Sequence, residues 1–201
     1  MEQTLYLECY SGISGDMTVA ALLDLGADEA VLRQVLDSLP VQGFRIEINR
    51  VMKSGIDACD FNVILEGNDN HDHDMEYLYG HLHHGEHTDS HTHEHQHTHS
   101  HAHRGMREIR EIIEKGDMTE GARRLALSIF SILAEAESKA HHVPVEEVHF
   151  HEVGAVDSIV DIVAVAVCLD NLNIKNVIVP ELWEGKGTCL LYTSPSPRDT
   201  R

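Results

Sequence analysis

The chain has 201 residues, a formal net charge of −19 and only 5% aromatic residues, enough length for one or two domains with a real core. That charge argues against nucleic-acid binding, whose phosphates would repel it, and favours a protein that collects cations. No apolar run approaches the roughly 20 residues of a membrane span, no signal peptide opens the chain, and the four cysteines stand singly without a CxxC pair. A reducing, cytoplasmic setting without disulfides is the simplest expectation.

In chain order, Thr4–Cys9 reads as a short strand running into the glycine-rich turn Ser11-Gly-Ile-Ser-Gly15. A helix follows over about Asp16–Leu25, with Val19, Leu22 and Leu23 on one stripe and Gly26 as its stop. Asp28 caps a second helix that ends at Leu39, before Pro40. Phe44–Val51 and Ile56–Leu65 alternate with period two around Lys53-Ser-Gly55, the pattern of a β-hairpin. Beyond residue 104, Met106–Glu114 and Thr119–Lys139 carry helical periodicity, the second with Leu125, Ile129, Ile132 and Leu133 on its stripe. Glu147–Val153 reads as a strand, Ala155–Asn171 as a largely apolar helix and Asn176–Pro180 as a buried-type strand. The grammar is that of an α/β fold, with α+β as the alternative: a small βαβ-type domain with a β-hairpin and a long inserted loop, disordered by composition.

That loop is the most unusual stretch of the chain. Thirteen of the seventeen histidines fall between Asn70 and Arg104. Most lie in an alternating run that places His91, His93, His95, His97, His99, His101 and His103 among small polar residues. A merely solvated loop would use Ser, Glu, Lys and Gly, whereas imidazole is the commonest side-chain ligand for nickel, zinc and copper. Overlapping sites of two to four imidazoles would form along it and exchange metal quickly.

Two further constellations carry chemistry. A glycine turn between strand and helix presents backbone N–H groups and a positive helix end, so Gly12, Ser14 and Gly15 are candidates to hold an anion such as a phosphate. Asp16 would hold a cation beside it or cap the helix. The turn is not a P-loop, because the lysine of that motif is missing. The second constellation is Val148-His-Phe-His-Glu-Val-Gly-Ala-Val-Asp-Ser-Ile-Val-Asp161. On a strand His149 and His151 share a face, Glu152 ends the strand, and Asp157 and Asp161 lie four apart on one helix face. His149, His151 and Glu152 are therefore candidate metal ligands and Asp157 a candidate catalytic acid, beside Asp16. The bland alternative has the histidines packing and the acids solvated or capping.

The second constellation closely resembles the signature of the nickel-insertion (LarC) family. The opening Tyr10-Ser-Gly-Ile-Ser-Gly-Asp-Met17, followed by Leu22-Leu-Asp-Leu-Gly26, resembles that family's front motif, as does the intervening His-rich loop. The resemblance covers residues 3–188. It implies CTP-dependent cyclometallation, in which nickel enters pyridinium-3,5-bisthiocarboxylic acid mononucleotide through one metal–carbon and two metal–sulfur bonds. The product is the nickel-pincer nucleotide cofactor of lactate racemase, whose apoprotein is the implied downstream acceptor. The resemblance also implies CTP with a divalent cation, bound by a C-terminal part that should follow Thr188. Residues 189–201 instead resemble the conceptual translation of a sequencing adapter, so the natural polypeptide is expected to continue past Thr188.

The expected organisation is an N-terminal α/β part (1–70), a His-rich metal loop (71–104), a helical and βαβ part of the same domain (105–188) and the foreign-looking tail (189–201). The fragment alone is expected to bind nickel without completing the reaction, in a protein that can be a homo-oligomer. A nickel or zinc metallochaperone or storage protein is the alternative, leaving the two constellations unexplained. A GTP-driven nickel inserter is disfavoured by the missing P-loop lysine. A binuclear hydrolase would not need thirteen mobile histidines.

Overall fold

The computed structural model describes residues 3–10, 12–65, 104–150 and 154–183. The His91–His103 run, His151 and Glu152 lie outside the described residues, as does the segment 184–201. The elements in chain order are β1 (Gln3–Tyr6), α1 (Gly15–Asp24), α2 (Glu29–Ser38), β2 (Phe44–Lys53) and β3 (Ile56–Leu65). After residue 103 come β4 (Arg104–Gly105), α3 (Met106–Lys115), α4 (Glu120–His141), a 3₁₀ turn (Val145–Glu147), β5 (His149–Phe150), α5 (Val156–Asn171) and β6 (Ile174–Ile178). The architecture mixes helices with three small two-stranded sheets: β1 parallel to β6, β2 antiparallel to β3, and β4 antiparallel to β5.

Local chemistry sets most boundaries. Helix α1 ends in a Schellman motif: Ala27 N–H bonds Leu22 C=O, Gly26 N–H bonds Leu23 C=O, and Gly26 takes φ 102°. Asp28 caps α2 by accepting from the N–H groups of Ala30 and Val31. Ser54 and Gly55 both adopt positive φ (52° and 83°) between β2 and β3, as a primed two-residue hairpin turn requires. Pairing then runs without a break from Phe44–Leu65 to Lys53–Ile56.

Helix α5 is the centre of the core. Its residues Ile159, Val160, Val163, Ala164 and Ala166 are fully buried, and it packs against α1, α2, α4 and the hairpin strand β3. The stripe of α4 sits one residue away from the expected one. Ala122, Ala126, Phe130 and Ala134 form the buried line, Leu125 and Leu133 flank it, and Ile132 points to solvent. Small side chains at the contact centre let α4 and α5 approach closely, and the large ones fill the flanks.

The expected strand over Glu147–Val153 starts two residues later in the structure, at His149. Pro144 opens a 3₁₀ turn closed by Glu147 N–H to Pro144 C=O at 2.9 Å, so pairing begins only at His149. Strand β1 ends at Tyr6, although Leu7 N–H still reaches Ile178 C=O at 2.9 Å and Cys9 bridges Leu182. Among the described residues no helix is long and apolar enough to cross a membrane.

Candidate functional site

The two sequence constellations, separated by most of the chain, meet in space. Helix α1 starts on Gly15, and its first turn lies directly against α5. A Cβ added to Gly15 would fall 2.7 Å from Asp161 Cβ and 2.9 Å from its Cγ. Only glycine leaves that volume for the carboxylate. Gly12, at φ 81°, turns the chain from β1 into this helix start, and its N–H bonds Cys9 C=O at 3.2 Å.

Around the turn, Asp16 Oδ1 accepts from Met17 N–H at 2.8 Å and from the Ser14 hydroxyl. Thr18 Oγ1 donates to Ser14 C=O at 2.7 Å. Asp16 thus has capping contacts at its own helix start, one residue after the glycine that seats Asp161. On α5, Asp157 and Asp161 share the face turned from the core, half-buried, and the Oδ1 atom of each is fully buried. Asp161 thus meets the glycine turn at the start of α1, with Asp157 one turn before it on the same helix.

The strand-to-helix corner that precedes α5 is built tightly. Val148 and Phe150 are buried, and the Phe150 ring meets Phe130 edge-on with centroids 6.1 Å apart. Alternation along the strand therefore drives His149 outward, where it is exposed. Gly154 folds back on Phe150, since a Cβ there would lie 2.8 Å from Phe150 O. Arg104 pairs with Phe150 in the β4–β5 ladder and donates from Nη1 to Gly154 C=O at 2.9 Å. Gly105 pairs with His149, and Gly105 N–H bonds Glu108 Oε2 at 3.0 Å. Glu108 is held below the usual glutamate range, first by its own backbone N–H and then by that of Gly105.

Of the candidate residues, the structure brings Gly12, Ser14, Gly15 and Asp16 together with α5, the helix of Asp157. His149 lies on the adjoining strand. Among the described residues, no three His, Cys, Asp or Glu side chains are arranged to hold a metal ion. The thiols do not fill the gap. Burial pushes Cys168 up to about 12 and also raises Cys59, so neither readily offers the thiolate that metals bind.

Three contributors were missed in the sequence: the seat of Asp161 on Gly15, the bond from Arg104 to Gly154, and Glu108. The first had a signal, since Asp161 stands four residues after Asp157. The second had a faint one, the single arginine at the end of the histidine run.

By architecture this is a mixed α/β protein whose glycine-turned helix start faces an acidic helix next to a histidine-bearing strand. It belongs to the nickel insertion protein family, whose model matches residues 5–197. That match runs into the tail set aside above. Among the relatives, the pyridinium-3,5-bisthiocarboxylic acid mononucleotide nickel insertion protein of Alkaliphilus metalliredigens is 52% identical over 187 residues, covering 93% of this chain and 41% of the relative. The proteins of the same name from Clostridium acetobutylicum and Acetivibrio thermocellus are 46% and 37% identical, covering 91% of this chain in each case and 44% and 39% of the relatives. The chain thus spans about two-fifths of the length of the curated relatives it matches. No solved structure matches it.

Proposed function

We propose that this chain is the nickel-binding portion of a protein that inserts nickel into pyridinium-3,5-bisthiocarboxylic acid mononucleotide, a CTP-dependent cyclometallation of the lyase type that acts in the cytoplasm. The observation that carries the proposal is the seat of Asp161 on Gly15, which makes one place of the family's two signatures. Relatives matched over more than nine-tenths of this chain carry that substrate in their names.

The labour divides by chemistry. The histidines from His71 to His103, His91–His103 above all, capture and concentrate nickel as cargo. They feed it through the β4–β5 ladder, whose Arg104 directly follows His103 and pairs with Phe150. His149, with His151 and Glu152, receives the metal. The substrate's phosphate rests on the N–H groups of Ser14 and Gly15, with Gly12 turning the chain into that helix start, and its soft thiocarboxylate sulfurs take nickel readily. Asp157 and Asp16 serve as the catalytic carboxylates, stabilising positive charge on the metal and accepting the proton released from the ring carbon. The glycine turn is already taken by the substrate's single phosphate, and it lacks the lysine of a P-loop. CTP and its divalent cation are therefore assigned to polypeptide that the relatives carry outside the matched stretch, and no step here is routed through them. Lactate racemase apoprotein is the downstream acceptor of the finished cofactor.

The test measures bound nickel and pyridinium mononucleotide on this chain with and without residues 71–103. Retained nucleotide binding with reduced nickel is the expected result and makes the histidine segment a feeder. If the shortened chain binds neither, the histidines are the whole function and the protein is a metal-capture module, which overturns the proposal. Imidazole ligation also requires the neutral ring, so loading should fall below about pH 6.5; equal loading at acidic and neutral pH overturns the assignment of histidine.

A further inference from the structure

The parallel pair β1–β6 is incomplete as a sheet. Parallel strands are otherwise found buried, with cover on both faces, because crossover connections lay helices against them. Here one face is partly served: Leu5 and Ile174 pack against the core and α5 touches β6. The opposite face is bare. Tyr6 and Ile178 are register partners, hence side by side, and are 54% and 49% exposed. The Cys9–Leu182 bridge carries the pairing on towards Tyr10 and Trp183, which are 50% and 56% exposed. Among the described residues no third strand pairs with either edge. Half-exposed aromatic and branched side chains along these strands, beside edges that no described strand pairs, form a surface suited to being covered.

We propose that the cover is intramolecular: in the complete family protein, polypeptide outside the stretch matched here extends this sheet by strand pairing and packs on Tyr6, Tyr10, Ile178 and Trp183. The relatives leave ample chain for this, since the matched stretch is only 41% of the Alkaliphilus protein. Acidic repulsion disfavours a second copy as the occupant, at a net charge of −19 per chain. The consequence is structural coupling, because β1 leads into the Gly12–Gly15 turn and β6 follows α5. Docking there stiffens both elements that carry the site. The inference rests on family membership and not on the assignment of nickel.

Amide hydrogen exchange on this chain and on the intact Alkaliphilus relative tests it. Segments Thr4–Tyr10 and Val177–Trp183 should exchange at least tenfold faster in this chain than the aligned segments do in the relative, while the core of α5 exchanges alike in both. A second measurement introduces lysine at Tyr6 and Ile178. The melting temperature of this chain should hardly move, and that of the relative with lysine at the aligned positions should fall clearly. Equal exchange in the two proteins overturns the proposal. So does protection in this chain that grows with its own concentration, which would make a second copy the cover.

Discussion

Helix α5 meets a glycine through an aspartate at both ends, and the two contacts do different work. Near its C-terminus Asp170 lies on Gly121, where an added Cβ would fall 2.7 Å from Asp170 Cγ. Its charge is answered there: Thr119 Oγ1 donates to it at 2.6 Å and Lys175 Nζ stands at 3.7 Å. Thr119 is also the N-cap of α4, its oxygen accepting from Ala122 N–H at 3.1 Å, so this contact pins one helix start to another helix. Near the N-terminus of α5 the same packing device puts Asp161 on Gly15, in the turn that precedes Asp16. A threonine and a lysine make the first contact a joint. The second ties the glycine turn to the helix of Asp157, where the proposed function places the ligand.

Exchanging the glycines tests that distinction with the largest effect. Gly15→Ala and Gly121→Ala each force a methyl group into a carboxylate, and overpacking of this kind costs about 1–3 kcal/mol. Urea unfolding should show comparable losses for both. Only Gly15→Ala should also abolish binding of the pyridinium mononucleotide. Gly26→Ala supplies a control for backbone strain alone, since its φ is 102° but no atom lies within 4 Å of an added Cβ. Loss of ligand binding in Gly121→Ala at equal stability would mean that the two ends are not distinct.

Neutralising the aspartates sharpens the comparison. Asp170→Asn weakens a charge-assisted bond from Thr119 and should destabilise the chain by about 1 kcal/mol. Asp161→Asn keeps the volume seated on Gly15 and removes the charge, so the metal-free protein should remain folded. Its nickel stabilisation, read as the rise in melting temperature on adding the ion, should shrink. If both variants lose stability equally and nickel stabilises both as it does the parent, Asp161 is a second joint.

What the sequence disclosed follows the range of the interactions. The primed turn at Ser54-Gly55, the Asp28 cap and the stop at Gly26 are decided within a few residues and were legible. The displaced stripe of α4 was not, because which of two adjacent lines faces inward depends on how closely α5 approaches. The pairing of β1 with β6 and the seat of Asp161 on Gly15 join opposite ends of the chain, and no periodicity encodes such a partner. The chemistry of the site was legible as residue types: glycines before Asp16, and acids at helical spacing after His149. Its assembly was not. The strand of His149 starts late because Pro144 set a 3₁₀ turn ahead of it, a choice made by a single ring.

The smallest effect concerns how the β4–β5 corner is held next to the site. Glu108 keeps a lowered pKa through backbone N–H groups, its own first and that of Gly105 next, so its ionised form is the one the fold prefers. For a carboxylate lowered in this way, the stabilisation is fully present above the ordinary glutamate pKa of about 4.3 and is lost as the pH falls through the lower folded value. Glu108→Gln should therefore flatten the acid limb of the stability curve below pH 4.3 while costing only a few tenths of a kcal/mol at neutral pH, because the side chain is half exposed to solvent. The cap fixes Gly105, and Gly105 is the register partner of His149, so the same variant should loosen the backbone at His149. Faster amide exchange there at pH 7, with no change at Asp170, would tie the corner to the acidic end of α5 alone. Equal exchange at both places would show that Glu108 only caps α3.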